Sequence, residues 1–134
     1  MPNCAVSSGS VAAALATAGG ATPWRVVFLA FLPAPGPWTS PLVALGTAGQ
    51  SQSSLAAVPR FLTVDRVYVH GDPTAGERRG LALNSGDTSV VNSYFSDIKA
   101  KGQDSQAICG WNGPGPFLVE NNYLEAAGEN IMFG

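Results

Sequence analysis

The sequence predicts an all-β protein, a parallel β-helix of about four stacked coils, and three observations favour this class. The composition suits short strands and tight turns, since 46% of the residues are hydrophobic, 12% are charged, and the chain contains 16 glycines and 10 prolines. One apolar pattern recurs along the chain. Two-residue Asn-Gly or Asp-Gly turns do not separate alternating apolar runs, which disfavours a sandwich or a barrel built from hairpins.

The recurring pattern has an apolar residue at each end and a tyrosine just before the last position. An earlier copy fits the same frame with Phe31 in the tyrosine place. The copies are VFLAFL at 27–32, VDRVYV at 64–69, VVNSYF at 90–95 and VENNYL at 119–124. A second short apolar strand follows each copy, and these strands are VAL at 43–45, LAL at 81–83, AIC at 107–109 and IMF at 131–133.

Strands this short cannot bury their inner faces alone, so the copies are expected to stack. Parallel stacking about 4.8 Å apart would pair backbone groups between coils and align the apolar positions in columns. Cys109 is therefore expected to point inward as a small apolar residue. The four predicted inward columns are Val27/Val64/Val90/Val119, Leu32/Val69/Phe95/Leu124, Val43/Leu81/Ala107/Ile131 and Leu45/Leu83/Cys109/Phe133.

Further columns are predicted on the outside of the stack. Asn92 and Asn121 would share a turn position that tolerates a left-handed backbone. An aromatic ladder would be formed by Phe31, Tyr68, Tyr94 and Tyr123. The middle residues of the second strand are expected to face outward, and they are Ala44, Ala82, Ile108 and Met132.

Charge and cysteine content exclude several classes of protein. The net charge of -2 and the lack of any block of Lys or Arg disfavour a nucleic-acid partner, which would need a basic surface. The two cysteines, Cys4 and Cys109, have no metal-ligand spacing and form no CxxC motif, so they leave the redox compartment open.

The chain is predicted to divide into a poorly specified or disordered lead-in at 1–23 and a partial parallel β-helix domain at 24–134. An Ala-rich run at 11–18 invites a signal-peptide interpretation, but no Lys or Arg precedes Arg25, so the positive region of such a peptide is missing. No run reaches the roughly 18 apolar residues of a membrane span, so none is expected.

Four stretches carry a resemblance to a known family: VDRVYVHGD, RRGLALNS, DSQAICGWNGPGPF and NNYLEAAGENIMFG. They resemble bacterial right-handed parallel β-helix proteins of the pectin-lyase-like superfamily. The resemblance covers the chain well from Arg60 onward and loosely over 25–59, and residues 1–23 have no counterpart. It implies a secreted protein, extracellular or periplasmic, that binds or cleaves polysaccharide.

The resemblance also bears on the end of the chain. Members of the superfamily usually have more coils and a cap, whereas residues 131–134 still read as a strand. The sequence is therefore expected to be a fragment truncated at the C-terminus. Its expected partners, besides polysaccharide, are the remaining coils of a longer parent chain or a second copy bound end to end.

The charged residues concentrate in the loops that follow the tyrosine strands. In the resembled lyases this flank borders the substrate cleft, where β-elimination of a uronate needs a cation on the substrate carboxylate and a base. His70, which opens the first of these loops, is a further candidate base near neutral pH. The candidates for base or clamp are Arg78, Arg79, Lys99 and Lys101, and those for holding Ca²⁺ are Asp72, Asp97, Asp104 and Glu129.

Alternatives to lyase chemistry stay open at this point. The charged loops also fit a solvated face with exposed ion pairs, and His70 fits a hydrogen-bonding loop residue. The apolar outward positions disfavour a lyase cleft, which usually carries acids there. A glycoside hydrolase would instead require two carboxyl groups across the cleft, and the adjacent pairs are Asp72 with Asp97 and Asp104 with Glu129.

A rigid Gly/Pro-rich excursion, WNGPGP at 111–116, supplies candidates for binding sugar. An exposed Trp111 would stack on a sugar ring while the Asn112 amide binds hydroxyl groups, and Tyr68 and Tyr94 are further candidate contacts. Alternatively, Trp111 packs over the wall as a lid for Ile108. The sequence therefore leaves three hypotheses: a polysaccharide lyase or hydrolase, a non-catalytic carbohydrate-binding or surface solenoid, and a fragment without independent activity.

Overall fold

A computed structural model describes residues 13–35 and 41–134. Within these ranges the regular structure consists of strands and two short 3₁₀ helices, Gln50–Gln52 and Leu55–Ala57. The strands in chain order are β1 (Leu15–Ala16), β2 (Trp24–Val27), β3 (Ala30–Phe31), β4 (Val43–Gly46), β5 (Arg60–Asp65), β6 (Tyr68–His70), β7 (Arg79–Asn84), β8 (Gly86–Val91), β9 (Tyr94–Ile98), β10 (Gln106–Gly110), β11 (Phe117–Glu120), β12 (Tyr123–Ala126) and β13 (Glu129–Phe133).

The described strands form three sheets, and neighbouring strands within each sheet pair in parallel. The sheet orders are β1-β4-β7-β10-β13, β2-β5-β8-β11 and β3-β6-β9-β12. Each strand therefore pairs with the strand three positions before or after it, which confirms the predicted all-β fold with parallel stacking. The arrangement is consistent with a parallel β-helix. No helix in the described part of the chain is long and apolar enough to cross a membrane.

The core lies between the three sheets, and its columns follow the register of the strands. Val64 pairs with Val90, and Val90 with Val119. Val69 pairs with Phe95, and Phe95 with Leu124. These pairings confirm the last three members of two predicted columns. The pairings Val43–Leu81 and Leu45–Leu83 confirm the start of the other two.

The first copy of the repeat pairs with the second copy in a register that differs by one residue from the predicted one. Val26, and not Val27, pairs with Val64, and Phe31, and not Leu32, pairs with Val69. Phe31 is therefore buried in the core and does not belong to the aromatic ladder. The prediction failed because every position of 26–32 is apolar, so the alternation that would define the register is missing.

The predicted columns through β10 are also displaced by one residue. Ile108, expected to face outward, belongs to the core and pairs with Leu81 and Ile131. Ala107 belongs to the core as well, so two consecutive side chains turn inward where this strand begins. Cys109 lies beside Ala82 rather than Leu83; it is fully buried, and burial raises the pKa of its thiol to about 11.

Residues from the predicted lead-in take part in the stack. Leu15 and Ala16 form β1, which pairs with β4, and the Arg60 amide donates to the Ala21 carbonyl at 3.0 Å. Residues 13–23 therefore contribute to the N-terminal end of the stack. The rest of the predicted lead-in, residues 1–12 with Cys4, lies outside the described residues.

One corner of the stack repeats a left-handed backbone. Asn92 and Asn121 both have φ 53°, as predicted, and Phe28 and Arg66 join them at 57° and 54°. Asparagine tolerates this region better than other side chains. Asn121 Nδ2 donates to Asn92 Oδ1 at 2.7 Å, so the amides form a ladder along the corner.

This ladder ends on a nearly buried carboxylate. Asp65 Oδ1 accepts a hydrogen bond from Asn92 Nδ2 at 3.1 Å. Its Oδ2 lies 2.6 Å from Arg66 Nη2 and 2.8 Å from Arg25 Nη2. The Arg66 guanidinium, the Asn92 amide and the Arg25 guanidinium hold the pKa of Asp65 well below its usual range. Asp65 therefore connects side chains from β2, from the turn after β5 and from the turn after β8 at this corner.

Truncating the central core side chain should weaken the whole stack. Phe95 is 0% exposed, so we expect Phe95→Ala to lower the free energy of unfolding by about 3–5 kcal/mol through lost burial and the cavity left behind. Urea unfolding followed by circular dichroism measures this. Leu118→Ala, at a side chain that is 50% exposed, is the control and should change stability little; equal effects of the two variants would contradict the assigned core.

Asp65 should make stability depend on pH in acid. Its folded pKa is depressed, so the stabilisation is present above the unfolded pKa of about 4 and is lost as the pH falls below it. We expect Asp65→Asn to be less stable than the natural chain at pH 7 and the difference to shrink as the pH is lowered. Thermal melts across this range measure it, with Asp104→Asn as an exposed control. A difference independent of pH would contradict the assignment.

Candidate functional site

The predicted catalytic cations lie in loops that they help to hold together. Lys99 Nζ lies 2.7 Å from Asp97 Oδ1 and donates to the Pro73 carbonyl at 2.8 Å. Arg78 Nε donates to the Asp104 carbonyl at 3.3 Å. These contacts connect the loop at 71–78 with the loop at 99–105. Lys101 is exposed.

The predicted calcium ligands are not gathered into one set. Asp72 Oδ1 accepts the amide hydrogens of Thr74 and Ala75 at 2.8 and 2.7 Å, and these backbone bonds lower its pKa. Glu129 Oε2 accepts from Gln106 Nε2 at 2.8 Å. In the ranges that the structure describes, no three side chains of His, Cys, Asp or Glu lie together so as to hold a metal ion. Calcium binding thus stays a prediction without a preformed ligand set.

His70 lies against the aromatic ladder. Its ring stacks on Tyr68 with centroids 4.2 Å apart, and Nδ1 lies 3.3 Å from the Gly71 carbonyl oxygen. These contacts involve an aromatic ring and the backbone, and neither supplies the carboxylate that orients a catalytic histidine. The general-base role of His70 stays a prediction that these contacts do not favour.

The ladder itself consists of three tyrosines. Tyr94 and Tyr123 stack with centroids 4.4 Å apart, and Tyr68 meets Tyr94 edge to face at 5.3 Å. One face of Tyr94 is therefore covered by Tyr123, and Tyr68 is stacked by His70. Burial, with the neighbouring Tyr123 and Glu125, raises the pKa of Tyr94. Because sugar stacking needs an open ring face, the ladder is better suited to joining strands than to binding sugar.

An open groove beside the ladder also contains an aromatic ring with a covered face. The groove has a volume of about 430 Å³ and includes Phe28 and Arg66 among its lining residues. The Arg66 guanidinium lies over the Phe28 ring at 4.2 Å from its centre, so this ring face is also occupied. An arginine thus covers one face of Phe28, although this ring is 70% exposed.

A different cleft opens beside Trp111, between the loop that contains the two 3₁₀ helices and the WNGPGP excursion. Its volume is about 380 Å³. Its walls carry an indole, amide groups, hydroxyl groups and two aliphatic side chains. The lining residues are Gln52, Ser53, Ser54, Leu55, Val58, Trp111, Asn112, Gly113 and Pro114.

Asn84, the last residue of β7, fixes the excursion. Its side-chain Oδ1 accepts the backbone amide hydrogens of both Trp111 and Asn112 at 3.0 Å. Gly113 lies directly on the backbone here, because a Cβ at this position would come within 2.5 Å of the Ser85 nitrogen. Only glycine allows this close approach, so the excursion is held against the end of β7.

Gln52 joins the two walls of the cleft. Its Nε2 donates to the carbonyls of Asn84 and Asn112, both at 2.7 Å, and its Oε1 accepts the Thr47 amide hydrogen at 3.0 Å. Asn112 Nδ2 returns a hydrogen bond to the Thr47 carbonyl at 2.9 Å. Gln52 is buried and its amide is fully engaged. The cleft is therefore held open by a buried polar network and not by loop packing alone.

Trp111 borders this cleft and contacts Arg79. The indole is 40% exposed, and the Arg79 guanidinium carbon lies 5.1 Å from the ring centre. Arg79 Nε donates to Gln106 Oε1 at 3.1 Å, and Gln106 in turn donates to Glu129. Arg79, predicted as a base or clamp, thus lies against the indole. Since Ile108 belongs to the core, the expectation that Trp111 covers it from outside is wrong.

Comparisons with protein-family models, curated proteins and solved structures find no match for this chain. The resemblance to the pectin-lyase-like superfamily therefore rests on the sequence stretches that carry it, and the structure adds the parallel all-β arrangement. The role of the cleft has to be argued from its own chemistry.

The sequence identified one wall of the cleft and missed the other. Trp111 and Asn112 were named from their neighbouring glycines and prolines. Asn84, Gln52 and Thr47 carry no repeated pattern, and they reach the excursion from positions at least 27 residues away along the chain. The one available signal was the polar Gly/Ser-rich character of 47–54, which is typical of any surface loop.

Removing Arg79 should change the surroundings of Trp111 without unfolding the chain. An arginine over an exposed indole contributes only about 0.5–1 kcal/mol, so Arg79→Ala should shift the Trp111 indole N–H resonance and increase its exposure to a soluble quencher. Two-dimensional NMR resolves this resonance from those of the other tryptophans, with Trp111→Phe for assignment. Arg60→Ala is the matched control, because Arg60 lies over Phe61; an unshifted indole in Arg79→Ala would contradict the contact.

Proposed function

We propose that this protein is a non-catalytic carbohydrate-binding β-solenoid that holds a short segment of polysaccharide in the Trp111 cleft. The observation that carries the proposal is the preformed cleft of about 380 Å³ with an exposed indole at its edge. Sugar sites combine an aromatic ring, which contacts the C–H face of a pyranose, with a few fixed polar groups that bind hydroxyls.

The polar groups of the cleft match this role. The exposed Ser53 and Ser54 supply hydroxyl groups that both donate and accept hydrogen bonds. Asn112 Nδ2 is engaged by Thr47, which fixes the amide so that its oxygen has a defined direction. A fixed amide costs little entropy on binding. These groups support recognition of hydroxyl-rich ligands.

Binding is favoured over cleavage by the state of the charged residues. β-Elimination needs a base and a cation near the same sugar, and glycoside hydrolysis needs a pair of carboxyl groups. Lys99 is paired with Asp97, Asp72 caps its own turn, and Arg79 lies against Trp111. Lys99, Asp72 and Arg79, three of the candidate groups, therefore support the loops and the indole.

The finer description of the fold belongs to the same proposal. A right-handed helix of about four coils, related to the pectin-lyase-like superfamily, agrees with the three parallel sheets. Members of that superfamily are mostly predicted to be secreted, so we propose an extracellular or periplasmic location. An extended solenoid suits long polymeric ligands, because its surface repeats along one axis.

Replacing Trp111 should abolish most of the carbohydrate binding. We expect the natural chain to be retarded in native gels containing one or more of a panel of soluble polysaccharides. Trp111→Ala should weaken the affinity for the retarding polysaccharide at least about tenfold, which corresponds to about 1.4 kcal/mol. The affinity is measured by titration calorimetry with oligosaccharides of that polymer.

Phe28→Ala is the matched control, since Phe28 is 70% exposed and does not line the Trp111 cleft. It should bind as the natural chain does. Circular dichroism melts of both variants establish that the fold persists. Equal loss of binding in the two variants, or binding with release of cleaved sugar, would contradict the proposal.

A further inference from the structure

Among the residues that the structure describes, none that lines the Trp111 cleft carries a charge. All nine residues that line it are neutral, and they comprise an indole, two amides, two hydroxyls, two aliphatic side chains, a glycine and a proline. Any ligand charge that enters the cleft would therefore have to be stabilised by groups farther away.

The sequence extends this neutrality well beyond the lining residues. One wall comes from the stretch 26–59, which contains no Asp, Glu, Lys or Arg. The other wall comes from 110–119, which is equally free of charged residues. After Gln103 the charged residues are all acidic, namely Asp104, Glu120, Glu125 and Glu129. Two cations lie near this wall: the Arg79 guanidinium contacts Trp111, and Arg60, which packs beside Gly86 as Gly115 does, is paired with Asp87.

Arg79 contacts the indole, and its guanidinium is already engaged by another side chain. It lies over the ring at 5.1 Å from the centre and donates through Nε to Gln106. Gln106 connects it to the Glu129 carboxylate. These contacts hold the guanidinium against the indole and link it through Gln106 to the Glu129 carboxylate.

We infer that the cleft is selective for neutral sugars and discriminates against uronates. A uronate carboxylate in the cleft would lose part of its hydration and find no cation among the lining residues to replace the water, and Arg79 beside the indole already donates to Gln106. Hydroxyl groups of a neutral pyranose find serine, amide and backbone partners of matching strength. The inference rests on the proposed carbohydrate-binding function and names the chemical class of ligand for that same site.

A pair of ligands that differ in charge, with one methyl group added at each carboxyl group of the neutral member, tests the inference. Oligogalacturonate and its methyl ester have the same rings and linkages, and neutral xylo-, gluco- and manno-oligosaccharides of equal length complete the set. The Trp111 indole resonance of the full chain is followed during titration in about 0.15 M salt, which is physiological ionic strength. We expect the methyl ester, or a neutral oligosaccharide, to bind at least about tenfold more tightly than the free acid.

The outcomes separate the inference from the function on which it rests. Free acid that binds as tightly as its ester, or more tightly, would overturn the inference and leave carbohydrate binding standing. Failure of every ligand to shift the resonance would overturn both. As a second test, Ser54→Lys places a cation in the wall and should narrow the ratio of ester to acid affinity, with Ser54→Gln as the uncharged control. An unchanged ratio in Ser54→Lys would count against the electrostatic basis.

Discussion

Parallel pairing between equivalent strands is the constraint on which the rest of this structure depends. None of the strands is longer than six residues, and a strand of that length neither satisfies its backbone nor buries its inner face alone. Stacking provides both, because β5, β8 and β11 place Val64, Val90 and Val119 in one column. The register of these strands therefore determines where each outer loop lies.

The cleft at Trp111 is a consequence of that register. The end of β7 brings Asn84 beside the residues that follow β10, so its side chain binds the Trp111 and Asn112 amides. Gln52 then bridges to the same backbone from the loop after β4. Removing any one of these side chains would leave hydrogen-bonding groups of another without a partner. The network therefore favours this one arrangement of the loops. The site is thus rigid before any ligand arrives.

Much of the charge of this protein is used in holding its surface together. Asp65 joins Arg25, Arg66 and the asparagine ladder at the left-handed corner. Lys99 pairs with Asp97 and donates to the Pro73 carbonyl, which connects two of the charged loops. The Trp111 cleft lies between two uncharged stretches of sequence. The separation of charged loops from a neutral cleft is the main reason to favour binding of neutral ligands over acid-base chemistry.

The parallel stack could be predicted from the sequence, because apolar positions that recur with a tyrosine at a fixed offset can be buried together only by stacking. It also gave the left-handed places of Asn92 and Asn121 and the tyrosine ladder from Tyr68 onward. It could not define the register of 26–32 or of β10, where adjacent apolar residues make either frame equally apolar. Which loops meet became visible in the folded chain alone, since Gln52, Asn84 and Trp111 are brought together by the stacking of their strands and not by any spacing along the chain.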